Sequence, residues 1–131
     1  MHNGDMPEDS GATRETLAAF AATLDSMSQC RVDRGSDAKG WNRLVNGLQR
    51  LQLDLRQTEE GRAGISDLMH SEDATVRTWS ATFALFWDES RARGVLQAEV
   101  AAGGLAGFES EIALREFDAG RLSMTWQPPK D

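Results

Sequence analysis

Apolar residues recur along this chain at intervals of three and four, in six blocks separated by short polar or glycine-containing breaks. That period is the mark of amphipathic helices, and each block predicts one. Residues 13–31 carry Leu17, Phe20, Ala21, Leu24 and Met27 on one face. Residues 38–57 carry Trp41, Leu44, Val45, Leu48, Leu51 and Leu55 in a seven-residue repeat. A shorter block holds Ile65, Leu68 and Met69. The block over residues 74–87 carries Val76, Trp79, Ser80, Phe83, Phe86 and Trp87, broadened by Ala81, Ala84 and Leu85. It is apolar around most of its circumference, which predicts cover on more than one side and a central place. Residues 89–102 turn Ala92, Val95, Leu96 and Val100 inward, and residues 106–119 turn Phe108, Ile112, Ala113 and Phe117 inward.

The breaks carry helix-start and helix-stop chemistry. Thr13, Ser71 or Asp73, and Asp88 are side chains able to cap the amides of a following helix. Glu59-Glu60-Gly61 separates the second and third helices, residues 32–40 form a connection, and Gly103-Gly104 and Gly120 end the last two helices. Gly47 costs its helix about 1 kcal/mol relative to alanine unless it permits a close helix contact. Leu122, Met124 and Trp126 alternate before Pro128-Pro129, which predicts an extended segment laid on the helices. The fold class that follows is all-α: a compact helical-repeat stack, or α-α superhelix, of about six helices with a short extended C-terminal tail. Residues 1–11 read as a mobile end, 12–120 as a single helical domain, and 121–131 as the tail.

Charge changes the picture of partners. The chain of 131 residues has a formal charge of −7 and no apolar run near the roughly 20 residues of a membrane span. Nucleic acid is disfavoured, because phosphate binding needs a basic footprint and only Arg43, Arg50 and Arg56 supply one. Arg50 and Asp54 stand four apart and can pair. Residues 59–73 hold five acids, Glu59, Glu60, Asp67, Glu72 and Asp73, against the one base Arg62. Such a rim suits encounter with a basic protein. Trp126, outside the helices, can serve as an interface anchor. These five acids and Trp126 are the candidate partner-binding residues.

The chemistry-bearing residues form no catalytic set. His70 sits at a helix end, where an imidazole complements the dipole. His2 and the single cysteine, Cys30, stand apart from it, so neither a metal site nor an activated thiol is expected. Glu109 and Glu111, two apart, face different ways. Arg77 reads as a structural arginine bonding the acidic turn or a neighbouring repeat. No glycine-rich phosphate loop follows a strand, and no cofactor is expected. With one cysteine and no charged-then-apolar leader, the expected compartment is the cytoplasm.

The stretch Leu68-Met69-His70-Ser71-Glu72-Asp73-Ala74-Thr75-Val76-Arg77, followed by Ser80-Ala81 and Leu85, resembles a HEAT-like repeat. With Trp41-Asn42-Arg43-Leu44, Leu55-Arg56 and the closing Asp118-Ala119-Gly120, the chain resembles the DUF2019 family of small bacterial proteins. That resemblance implies a HEAT-like helical fold and transfers no catalytic residue. Small HEAT-like proteins recur among bacterial immunity proteins, which gives the functional expectation: a non-catalytic protein-binding module that neutralises a cognate toxin, its partner a basic toxin domain. The rival expectations are an enzyme with a site near His70 and a homo-oligomeric scaffold.

Overall fold

The computed structural model describes residues 5–32 and 38–129, with the backbone alone over residues 5–10 and at residue 32. Among these are six α-helices and no strand, as the all-α expectation requires. They are α1 (Asp5–Val32), α2 (Ala38–Leu55), α3 (Glu59–Asp67), α4 (Ala74–Ala84), α5 (Glu89–Ala102) and α6 (Gly104–Asp118). A single 3-10 turn, Leu68–His70, continues α3. None of these helices is long and apolar enough to cross a membrane.

Local chemistry sets the bounds of the middle pair. Thr58 caps α3 by accepting from the Gly61 amide at 3.0 Å. Asp73 caps α4, its Oδ1 accepting from the Thr75 and Val76 amides at 2.8 and 3.1 Å. Ser71 supports that cap by accepting from the Asp73 amide.

Consecutive helices pack as pairs, α1 on α2, α3 on α4 and α5 on α6. Of these, α4 is the shared wall, in contact with α1, α3, α5 and α6. One apolar cluster lies on its first side, built from Phe20, Leu24, Met27, Leu48, Leu55, Ile65, Val76 and Phe83. A second lies on the other side and joins Met69, Ala81, Ala84, Leu85, Ala92, Leu96 and Ala113. Two close approaches need glycine: a Cβ on Gly61 would overlap the Leu55 carbonyl oxygen, and one on Gly107 would lie 2.6 Å from that of Glu99.

Several expectations are corrected. Thr13 lies inside α1, which begins at Asp5, so it caps nothing; of the expected mobile end, residues 1–4 lie outside the described residues. The expected connection falls largely on residues 33–37, also outside them. Glu59, Glu60 and Gly61 form the first turn of α3 rather than a break. The fourth helix stops at Ala84, and Phe86 in the following turn stands out against the edge of Phe117, ring centroids 5.4 Å apart. Asp88 precedes α5 but makes no side-chain cap; its carboxylate holds Arg91 at 2.7 Å. Arg50 reaches the Pro129 carbonyl at 2.7 Å in place of Asp54. Val100 is exposed because Leu96 and Glu99 take the inward line of α5.

The largest correction concerns α6. Its inward line is Gly107, Ser110 and Ala113, small residues that let it approach α5 closely. That rotation leaves Phe108 and Ile112 facing out.

Candidate functional site

The tail is held by two glutamines on the buried face of α2 and by Arg56 just beyond its end. Gln49 and Gln52 are fully buried beside Leu48 and Leu55, where an apolar stripe would normally continue. Gln49 Nε2 donates to the carbonyl oxygens of Met124 and Trp126, both at 2.9 Å. Gln52 Nε2 donates to Met124 at 2.7 Å, and Arg56 Nη1 adds a third bond to the same oxygen at 3.1 Å. Buried amides demand partners, and an unpaired tail carbonyl supplies them. Residues 121–129 consequently run without helix along the helices, and Met124 and Leu122 pack against the two apolar clusters.

The clamped tail completes a pocket of about 250 Å³ lined by Thr78, Trp79, Thr82, Glu109, Ile112, Ala113, Leu122 and Met124. Helix α4 supplies two threonines and Trp79, α6 supplies Glu109, Ile112 and Ala113, and the tail supplies the remaining wall. Glu109 is positioned by a residue 78 positions away in the chain: its Oε2 accepts from Arg31 Nη2 of α1 at 2.5 Å. Arg31 in turn lies 5.0 Å over the ring of Trp41, and Trp41 meets Trp79 edge to face. Sequence spacing gives no sign of this assembly, because its parts come from five separate segments, α1, α2, α4, α6 and the tail.

Beside the pocket runs an apolar surface. Leu105, Phe108 and Ile112 stand at i, i+3 and i+7 on α6 and are 57 %, 61 % and 37 % exposed. Val100 on α5 is exposed as well. Glu111, also exposed, pairs only loosely with Arg115 at 3.5 Å.

The acids singled out from the sequence fare differently. Glu59, Glu60, Asp67 and Glu72 are exposed on α3 and on the connection to α4. Asp73 turns inward: besides capping α4 it accepts from the Ser28 hydroxyl at 2.7 Å. Its burial favours the neutral acid, but the Ser28 hydroxyl, the Val76 and Thr75 amides and Arg77 together hold its carboxyl below the usual range. Trp126 is 39 % exposed on the tail, tied through its carbonyl to α2 and not to the acidic turn.

Arg77 does both things expected of a structural arginine. Its Nη1 donates to the Ser71 carbonyl of the turn at 3.0 Å, and its Nε donates to Glu99 of α5 at 2.7 Å. The bond to Glu99 outweighs burial and raises its already high pKa. His70 is exposed at the end of the 3-10 turn, 3.4 Å from an Arg91 nitrogen, and does not line the pocket. No group of three or more His, Cys, Asp or Glu side chains suited to a metal ion converges among the described residues.

No family model, no curated protein and no solved structure matches the chain.

Proposed function

We propose that the protein is a cytoplasmic protein-binding module on a HEAT-like helical stack, and specifically an immunity protein that binds and neutralises a cognate toxin. The observation that carries the reading is the outward apolar face of α6, where Leu105 and Phe108 stand more than half exposed. Two large apolar side chains side by side in water are costly to display, and contiguous apolar patches of this kind mark surfaces that a partner covers. An aromatic side chain among them suits an interface anchor. The net charge of −7 supports a basic partner, whose approach it accelerates.

The test is coexpression with the product of the gene next to its own. The protein is expected to form a stable complex with that product and to relieve its toxicity. Leu105→Asp with Phe108→Asp abolishes protection in this reading. Charge reversal at Glu59, Glu60 and Glu72 slows association without abolishing it. Asp73 is left out of that set because it caps α4. Continued growth arrest in the presence of the intact protein counts against the toxin-binding reading.

A further inference from the structure

We propose that the groove on α2 accepts the tail of a second copy in place of its own, so that two copies exchange residues 121–129 and each completes the other's stack. The tail is weakly committed to its own body. None of residues 121–129 is fully buried. The Arg121 and Leu122 amides both donate to the Glu116 carbonyl, at 2.9 and 3.1 Å. Beyond Leu122 no backbone–backbone hydrogen bond ties the segment among the described residues. It is held by the grip of Gln49, Gln52 and Arg56 on the Met124 and Trp126 carbonyls, by the Arg50 bond to Pro129, and by half-buried Leu122 and Met124. A segment with few buried apolar contacts and no backbone ladder opens far below the global unfolding free energy.

The seated tail itself defines the occupant. The groove reads a backbone with carbonyls two residues apart, at Met124 and Trp126, and apolar side chains two apart, at Leu122 and Met124. Opening strips the Gln49 and Gln52 amides of these carbonyls and uncovers apolar surface, so an extended segment is drawn back in. A second copy's tail fits by identity, and in a reciprocal pair every contact broken on opening is remade. An unrelated peptide would instead have to displace a tethered tail whose effective concentration is about millimolar. The hinge is Gly120, whose φ of 74° lies in the left-handed region and forms the turn between α6 and the tail. Ala119, Gly120 and Arg121 are exposed, so the tail swings out there without unpacking a core side chain. Leu105 and Phe108 take no part, so the exchange is independent of the partner face of α6.

The test compares the purified intact chain with Gly120→Val by analytical ultracentrifugation. A Cβ on Gly120 would meet nothing within 4 Å, so valine strains only the closed turn and spares the packing. The exchanged pair releases that turn in both copies. The intact chain is expected to be monomeric at about 10 µM and partly dimeric by about 1 mM, the effective concentration of a tethered tail. Gly120→Val is expected to dimerise about a hundredfold more tightly, about tenfold for each turn relieved. Mixing isotope-labelled with unlabelled copies then shows whose tail is seated. Filtered NOEs between Met124 protons of one copy and the Gln52 side-chain amide of the other are expected, in the variant and in the intact chain at about 1 mM. Adding Leu105→Asp leaves this dimer intact, whereas a dimer made through the α6 face would be lost. Monomers throughout, equal dimerisation of the two chains, loss of the dimer with Leu105→Asp, or NOEs confined within one copy overturns the proposal.

Discussion

The side-chain amide of Gln52 donates to the carbonyl oxygen of Met124 at 2.7 Å, joining α2 to a segment 72 positions further along the chain. Gln49 and Arg56 grip the same oxygen, so the tail is a structural part of the helical stack. Replacing Gln52 by leucine removes one donor and leaves two. The expected loss is about 1–2 kcal/mol in urea unfolding. Replacing Gln49 and Gln52 together frees the tail: amide exchange over residues 122–126 accelerates, and Trp126 emission shifts to the red. Unchanged exchange in the double variant would show that packing of Leu122 and Met124 alone holds the segment.

Arg77 and Glu99 tie the α3–α4 turn to α5. Glu99 is nearly buried, so Glu99→Gln strips the charge from a desolvated pair and strands the guanidinium. A loss of about 1–3 kcal/mol is expected, less than for a fully buried pair because Arg77 keeps partial contact with water. A double-mutant cycle with Arg77→Met isolates the coupling. A coupling near zero would reassign the stabilisation to the Arg77 bond with the Ser71 carbonyl.

Asp73 makes stability depend on pH in the acid range. Its folded pKa is depressed by the Ser28 and amide hydrogen bonds, working against burial. The unfolded chain therefore takes up the proton first. The contribution is fully present above the unfolded value of about 3.9 and fades as pH falls through the lower folded value. Asp73→Ala is expected to cost about 1 kcal/mol at neutral pH, as a lost helix cap. It should also flatten the melting temperature against pH below about 4. An acid limb as steep as that of the intact protein would place the titration elsewhere.

Gly47 and Gly61 should respond oppositely to alanine. A methyl group on Gly47 would meet nothing within 4 Å, so this glycine serves no close helix contact. Gly47→Ala is expected to stabilise by about 0.5–1 kcal/mol. At Gly61 the Leu55 carbonyl occupies the place where the methyl would go. Gly61→Ala must push α3 away from the end of α2 and is expected to cost about 2 kcal/mol or more. Thermal melts of the two variants check both signs.

Much of the helical layout is legible in the sequence because core-facing apolar residues keep the 3.6 period, as in Leu17, Phe20, Leu24 and Met27. The centrality of α4 follows from its apolar girth. Where the sequence misleads, large and small residues have exchanged roles. Gly107, Ser110 and Ala113 hold α6 to its neighbours because closeness there requires small side chains, and so Phe108 and Ile112 turn outward. Inward Glu99 displaces Val100 because Arg77 neutralises it. Gln49 and Gln52 are a pair of amides set within an apolar stripe; only the fold brings the Met124 carbonyl to them. Spacing shows only that Glu109 and Glu111 face different ways, whereas the partners of Glu109 are Arg31, 78 positions away, and the pocket.

On the proposed function, the outward face of α6 carries a protein partner. The most direct test is a photo-crosslinking residue in place of Phe108 in the native host, with the same residue at exposed Gln57 as the control. A discrete adduct at position 108 that contains a second protein, and that is lost when Leu105→Asp is added, is the expected result. No adduct at 108, or the same set of adducts at 108 and 57, would contradict it.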